Sequence, residues 1–405
     1  MQVWLFEPYY TGSHRAWARG YARHSCHCVT IFAMDGRFWK WRMQGGALEL
    51  AAQANARLDA GEHPDGLLVS DMTNLPALLA LTPRLVGVPV LFYFHENQLT
   101  YPLPSGERRD LTYGMINLLS ALTADRVRFN SRYHLEIWFD ELPRLLKHFP
   151  DYNHLEVVQR LRERSGVLPV GCDLKALEAW KVEDGDRKME GGKGRGGIGN
   201  KTGLEVEGVD QPPLVLWNQR WEYDKNPGEF FQALYRLHDE GVPFRLALAG
   251  ENFRMVPDEF EEARRQLREH IVHYGYAETR AAYARLLWEA DVVVSTAIHE
   301  FFGISIVEAM YCHTFPLLPR RLSYPELIPT DLHAACLYDD FHDLLCRLRQ
   351  ALTNPESYRP LLPRLRAATA CFDWQRLAPI YDDLLASITP RQSPLPPAAP
   401  PAARA

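Results

Sequence analysis

The 405-residue sequence is poor in the features that would place it quickly. Its seven cysteines (Cys26, Cys28, Cys172, Cys312, Cys336, Cys346, Cys371) are odd in number and never spaced as CxxC, which excludes a disulfide scaffold and fits a reducing compartment. No run of ~18 apolar residues occurs, and the opening MQVWLFEPYY has neither the basic region nor the apolar stretch of a signal peptide. A soluble, cytoplasmic chain with no membrane partner is expected. Excess positive charge is missing too: 45 Lys and Arg against 51 Asp and Glu leave a net charge of −6. Any polyanion must therefore meet a local patch rather than a global field. The Gly-x-Gly-x-x-Gly of a dinucleotide site does not follow the first apolar run, so an NAD enzyme is disfavoured.

Apolar residues are plentiful, at 46%, and the length exceeds what one core usually fills, so two domains are expected. Short apolar runs bounded by turn residues alternate with helical patterns: QVWLFEP, CVTIFAM, GLLVSD, VPVLFYFHE, RVRFNS and GVLPVG, then LVLWNQR, FRLALAGE, VHYGYAE, ADVVVSTA and TFPLLP. These read as buried parallel strands of two doubly wound α/β domains, over residues 1–175 and 212–372. Between them GDRKMEGGKGRGGIGNK (185–201) holds seven glycines in seventeen residues, and a mobile linker is expected over 176–211. The Pro/Ala-rich residues 389–405 are expected to stay disordered. In such domains ligands bind beyond the carboxyl ends of the strands, so the residues after each strand are the candidates.

After the first strand, YYTGSH offers Gly12 for close backbone approach to a ligand, with Ser13 and His14 at the entrance of a helix. A plain turn capped by Ser13 is the other reading. After the fourth strand, FYFHENQLTYP passes abruptly from aromatic residues to His95, Glu96, Asn97 and Gln98. A core histidine accounts for His95 alone but not for four polar residues in succession, and a functional site is favoured.

In WNQRWEYDKNP, Arg220 and Lys225 precede a helix that Asn226, Pro227 and Glu229 would start, an arrangement suited to a diphosphate. Surface charges paired with Glu222 and Asp224 are the alternative. HEFFGISIVEAM places Glu300 after a strand and Glu308 in the first turn of a helix, with Gly303 at the bend. Ser305 and Glu308 fit a capping box, which leaves Glu300 unexplained. Two carboxylates framing helix-terminal amides suit a sugar, a ribose and the phosphates between them. HSCHC (24–28) matches no zinc spacing, and no metal site is expected.

The pattern Glu, seven residues, Glu resembles the retaining family 4 glycosyltransferases, which have the GT-B fold: two facing Rossmann-like doubly wound domains with an interdomain cleft. VLPVGCDL is similar to the strand closing the first domain of that family, and CFDWQRLAPIYDDLL to its last helix, here 373–388, which crosses back to that domain. YYTGSH, FWKWRM, FYFHENQLTYP, ERRDLTYGMINLLSALTADRVRFNS and the two-glutamate block resemble, more narrowly, the tRNA-queuosine mannosyltransferases.

The resemblance implies transfer of mannose from GDP-mannose to the cyclopentenediol of queuosine at the tRNA wobble position, without a cofactor or metal. It implies that Glu308 holds the donor ribose, Glu300 the mannose hydroxyls, Arg220 and Lys225 the diphosphate. Gly12, Ser13 and the amides of Phe302, Gly303 and Ile304 would lie against the donor, and His95 would contact the reacting sugar. On the acceptor side it implies His14, Glu96, Asn97, Gln98 and Tyr101, together with the cationic and aromatic Arg37, Trp39, Lys40, Trp41 and Arg42, as a platform for an RNA loop. That cluster is read as a loop, and burial of Trp39 or Trp41 is its alternative. Arg108, Arg109, Arg126, Arg128 and Arg132 could extend it. Two other functions stay open: a family 4 enzyme with a glycan, lipid or small-molecule acceptor, and a GT-B protein that binds RNA without turnover.

Overall fold

The computed structural model describes residues 1–103, 106, 108–181, 211–250 and 256–389. Segment 185–201 and residues 390–405, on which the linker and tail expectations fall, lie outside the described residues. Two compact units form: Met1–Cys172 with the chain from Phe372 onward, and Asp173–Cys371.

In the first unit six parallel strands, β1 Gln2–Tyr10, β2 Cys28–Asp35, β3 Gly66–Ser70, β4 Val90–Phe94, β5 Arg126–Phe129 and β6 Ser165–Val167, lie in the order β2-β1-β3-β4-β5-β6. β3 and β4 are buried at every position, because helices cover both faces of a parallel sheet. β1 pairs on one side with β2 and on the other with β3, in the register Phe6↔Val69. The strand order therefore reverses at β1 and β3, and a crevice opens beyond their carboxyl ends.

The last helix, Trp374–Ala386, belongs to this unit. Its Tyr381 hydroxyl accepts from Trp17 Nε1 at 3.3 Å, and its Asp382 accepts from the Tyr21 hydroxyl at 2.7 Å. Gly20 and Gly171 leave room for Trp374; a Cβ at either would sit 2.0 and 2.3 Å from the indole.

In the second unit β7 Leu214–Trp217, β8 Arg245–Ala249, β9 Ile271–Gly275, β10 Val292–Val294, β11 Phe315–Pro319 and β12 Leu337–Tyr338 take the order β12-β11-β10-β7-β8-β9. Here the reversal falls between β7 and β10, paired as Val292↔Val215 and Val293↔Leu216. The segments after β7 and after β10, Asn218–Lys225 and Ser295–Glu300, are thus brought side by side although some 75 residues separate Lys225 from Glu300.

Several local expectations are corrected. Residues 176–180, expected as linker, belong to a 3-10 helix, Lys175–Trp180, that buries Leu177. Only Gly166 and Val167 of GVLPVG are strand, and β12, two residues long, is too short to show in the sequence. The FWKWRM segment is not a loop: a helix runs from Trp39 to Asp59, after Phe38 in a left-handed conformation. Neither expected capping box forms. Asn226 is left-handed, and its side-chain amide donates to Glu229 instead of closing the helix end. Gly303, with φ +98°, is the N-cap of helix Ile304–Tyr311, so Glu308 lies in the second turn. Ser13 is no cap either, because the helix already begins at Gly12 behind Thr11.

Candidate active site

At the β7/β10 reversal the chain buries an ammonium among carboxylates. Lys225 Nζ lies 2.8 Å from the His299 carbonyl, 3.1 Å from Asp224 Oδ2 and 3.3 Å from Glu300 Oε2, and its side chain is only 6% exposed. Surface pairing, the alternative reading for Lys225, is therefore ruled out. The segments are stitched by backbone as well: the Ile298 amide donates to the Asp224 carbonyl at 2.9 Å, and the Thr296 hydroxyl to the carbonyls of Lys225 and Asn226.

Burying ions is costly unless each is paired, and here Lys225 is paired twice. Burial alone would raise the Glu300 carboxyl, but Lys225 and the Phe302 amide, 3.2 Å from Glu300 Oε1, hold it below the usual carboxylate range. Burial likewise opposes ionisation of Asp224, and Lys225 and Arg220 override it, so its pKa is lowered. Burial, reinforced by Lys225, pushes the His299 imidazole down to about 4 and keeps it neutral. Arg220, with a side chain 41% exposed, lies 3.1 Å from Glu222.

Glu300 is thus an ionised acceptor held in one orientation, immediately before the bend that Gly303 makes possible. Helix Ile304–Tyr311 starts at that bend; the Ile306 and Val307 amides donate to the Gly303 carbonyl, and those of Ile304 and Ser305 precede the first intrahelical bond. Glu308, one turn in, has both oxygens engaged, Oε1 by Arg280 at 2.6 Å and Oε2 by the Tyr283 hydroxyl at 3.0 Å. A carboxylate has about four lone-pair positions, so capacity for a ribose remains.

Arg280 and Tyr283 also line a cavity of about 300 Å³ with Asn218, Arg220, Tyr276 and Glu278. Gly250 also lines it, and a Cβ there would meet the Gln219 carbonyl at 2.2 Å. Asp224, Glu278, Arg280 and Tyr283 were missed in the sequence. Glu278 and Arg280 follow β9 directly, so the same search after each strand would have reached them. Asp224, fully buried, could not be told from a surface charge.

The first unit assembles a different kind of site at its β1/β3 reversal. His95, just past β4, is buried among rings, with Trp17 edge-on at 4.5 Å, Tyr93 at 4.8 Å and His14 tilted at 4.4 Å. Its backbone amide donates to Asp71 Oδ1 at 2.8 Å, and its carbonyl accepts from the Asn130 side chain at 2.8 Å. Nε2 has no protein partner within the described residues.

His14 does not sit at a ligand entrance but turns inward, its Nδ1 2.9 Å from Glu7 Oε2. Burial disfavours its charge, yet Glu7, with Asp71 and Glu96 behind it, outweighs burial and raises the imidazole to about 9. Burial and the neighbouring His14 cation in turn press His95 well below the ordinary histidine value. One imidazolium and one neutral imidazole therefore lie ring against ring. Glu7 and Asp71, both inside apolar strand patterns, were also missed in the sequence.

The other residues expected to act on this unit fall into different environments. Gly12, at φ +47° with open space around its Cα, and Ser13 are exposed beyond β1. Asn97 is structural: its Oδ1 accepts from the Leu99 and Thr100 amides, closing a turn. Gln98 donates to Glu96 at 3.1 Å, and the Arg109 guanidinium clamps the carbonyls of Gln98 and Tyr101 at 2.6 Å each. Arg128 is turned onto the Val127 and Arg164 carbonyls.

In the aromatic cluster Trp39 packs on Tyr113 at 4.9 Å, with Lys40 over its ring, and Arg42 donates to the Asp35 carbonyl. Arg37, Lys40 and Trp41 are exposed, as is Phe38 at 74%. Trp39 is thus in part a packing residue, whereas Trp41 presents its ring outward. In HSCHC, Cys26 and His27 come near Asp382, whose oxygens already accept from Tyr21, Ser25 and the Cys26 amide. No helix of the described residues is long and apolar enough to cross a membrane.

Comparison with known proteins follows the same division. Residues 2–172 match the family model "tRNA-queuosine alpha-mannosyltransferase N-terminal", and residues 205–362 match "Glycosyl transferases group 1". A tRNA-queuosine alpha-mannosyltransferase of Drosophila melanogaster is 31% identical over 362 residues, 88% of each chain. A GDP-mannose-dependent alpha-(1-6)-phosphatidylinositol dimannoside mannosyltransferase of Mycobacterium tuberculosis is 31% identical over 165 residues, 41% of this chain and 42% of its own. Among solved structures, Anabaena HepE crystallised with UDP superposes with a TM-score of 0.64 at 17% identity, over 96% of this chain and 100% of its own. Sucrose-phosphate synthase from Thermosynechococcus elongatus does so at 0.67 and 15%, over 95% and 99%. These superpositions establish the GT-B fold, two Rossmann-like units each with a six-stranded parallel sheet. The chain is a glycosyltransferase, and it belongs to the tRNA-queuosine alpha-mannosyltransferase family.

Proposed function

We propose that the protein transfers mannose from GDP-mannose to the cyclopentenediol of queuosine at the wobble position of a tRNA anticodon, with retention of the α configuration, in the cytoplasm. The observation that carries the reading is Glu300, ionised and oriented by Lys225 immediately before the Gly303 bend. A carboxylate so held accepts hydrogen bonds from two sugar hydroxyls, while the helix-terminal amides and Arg220 take the adjacent phosphates. The printed names of the fly and mycobacterial relatives support the acceptor and the donor respectively.

In this reading the nucleoside diphosphate occupies the cavity lined by Arg220, Tyr276 and Glu278, with its ribose on Glu308. Glu278 suits a guanine, since a carboxylate can accept from two neighbouring N–H groups of that base's edge. Leaving-group charge is met by Arg220, by the amides of Gly303 and Ile304, and by the field of Lys225, whose three N–H groups face protein acceptors, while the Phe302 amide stays on Glu300. A donor phosphate oxygen receives the proton of the incoming hydroxyl. His95, kept neutral, offers Nε2 to a sugar hydroxyl without adding charge. Trp41 and Phe38, with Arg37 and Lys40, supply stacking faces and cations for the anticodon loop.

The test is to incubate the protein with GDP-mannose and queuosine-containing tRNA and to look by mass spectrometry for a hexose on the modified nucleoside. GDP release without RNA-borne hexose would move the acceptor to another class, and no turnover with any nucleotide sugar would defeat the donor assignment. Transfer should persist in EDTA, because protein groups alone neutralise the diphosphate.

A further inference from the structure

At the amino-terminal ends of β8 and β9, opposite to the ligand-binding ends of the sheet, two histidines and a glutamate converge. His238, in the last turn of helix Pro227–Asp239, points Nδ1 at Nε2 of His270 across 2.9 Å, and Glu269 Oε1 lies 3.8 Å from both nitrogens.

His270 is held on every side. Its ring stacks on Phe244 at 4.1 Å with 7° between planes, and its Nδ1 lies 2.8 Å from the Phe244 carbonyl. Its backbone carbonyl accepts from the Leu246 amide at 2.7 Å. A proton on Nδ1, donated to that carbonyl, fixes the tautomer and aims the Nε2 lone pair outward, the arrangement that carbonyl-anchored metal ligands use. Glu240, two residues after His238, is taken up by Arg349 Nε and Nη2 at 2.7 Å each.

We infer that His238 Nδ1, His270 Nε2 and Glu269 form a binding site for a divalent transition ion, zinc first, with water as the fourth ligand. A tetrahedral ion with bonds of about 2.0–2.1 Å separates its ligand atoms by about 3.4 Å, within half an ångström of the three separations here. Binding moves the proton of His238 from Nδ1 to Nε2, so that the ring ligates as a neutral imidazole, and fastens the end of the helix to the start of β9. The site lies away from the transfer machinery, so its role is to stiffen this edge of the unit.

The test uses the untagged full chain, stripped with EDTA and titrated with Zn²⁺ by calorimetry and with Co²⁺ by visible absorption. One ion per chain should bind, the Co²⁺ spectrum should show tetrahedral d–d bands without a thiolate charge-transfer band, and the melting temperature should rise by several degrees. His238→Ala and His270→Ala should each weaken binding by at least about tenfold, and Glu269→Gln by less. Mannosyl transfer by the stripped wild type and by His238→Ala should stay unchanged. Cys26→Ser, at the one other exposed cluster of this kind among the described residues, should bind as the wild type does. Binding that survives His238→Ala and Glu269→Gln, or is lost in Cys26→Ser, or is absent in the wild type, overturns the site. If His270→Ala fails to fold, the half-exposed His238 and exposed Glu269 variants decide alone.

Discussion

The two units solve one problem, placing polar groups at a strand reversal, by opposite electrostatic means. In the second unit Lys225 holds Asp224 and Glu300 ionised within a buried charge cluster. In the first unit the corresponding crevice buries a single ion pair, Glu7–His14, and sets beside it an imidazole that stays neutral among aromatic rings. The difference follows from what each is proposed to meet: a developing diphosphate charge on one side, and hydroxyls on the other. Fixed charge stabilises the first, whereas the second needs hydrogen bonds without stray charge.

Breaking the charge cluster should have the largest effect. Lys225→Ala leaves Asp224 and Glu300 buried without their cation, and a cost of about 3–5 kcal/mol in stability is expected, read by denaturant melts. Glu300→Gln keeps the shape but loses the ionised acceptor. Its transfer rate should fall by about 10²–10³, with little change in melting temperature, and steady-state kinetics will show whether that split holds.

On the first unit the matching perturbation is pH. The His14 pKa is raised to about 9, above its unfolded value of about 6.5, so the Glu7–His14 pair stabilises fully below pH ~6.5 and is lost as pH rises through about 9. The shift corresponds to roughly 3 kcal/mol. Melts across pH 6 to 10 should show this loss in the wild type and not in Glu7→Gln. An unchanged pH slope in the variant would remove the comparison's second half.

Smaller effects sharpen it further. Gly303→Ala forces a side chain onto a left-handed residue, with its Cβ 3.2 Å from Leu327, and should cost about 1–3 kcal/mol and raise KM for the donor. Trp41→Ala, on an exposed ring, should weaken tRNA binding by about 1–3 kcal/mol while leaving hydrolysis of the donor intact. Equal loss of both activities would mean that Trp41 holds structure rather than RNA.

Eleven of the twelve strands could be read directly, because a strand buried on both faces leaves an uninterrupted apolar run bounded by turn residues. Glu300, Lys225 and His95 were legible for the same reason: each follows such a run and breaks its polarity. Asn226 and Pro227 start their helix as expected, but the side-chain caps expected of Asn226, Ser13 and Ser305 do not form, since capping depends on backbone dihedrals and Gly12, Gly303 and Asn226 adopt left-handed conformations there. FWKWRM reads as a loop in the sequence because its aromatic and cationic residues obscure the helical period that begins at Trp39.

The sequence by itself determined the two α/β sheets and which polar residues stand at their strand ends, since both are properties of short segments. Only the tertiary structure decided that Lys225 spends its charge on Glu300 and Asp224, that Glu7 rather than a ligand claims His14, and that Arg280 and Tyr283 hold Glu308. The physical reason is that ionisation and hydrogen bonding in a buried site depend on groups within a few ångströms, and strand order, not chain order, sets which groups those are.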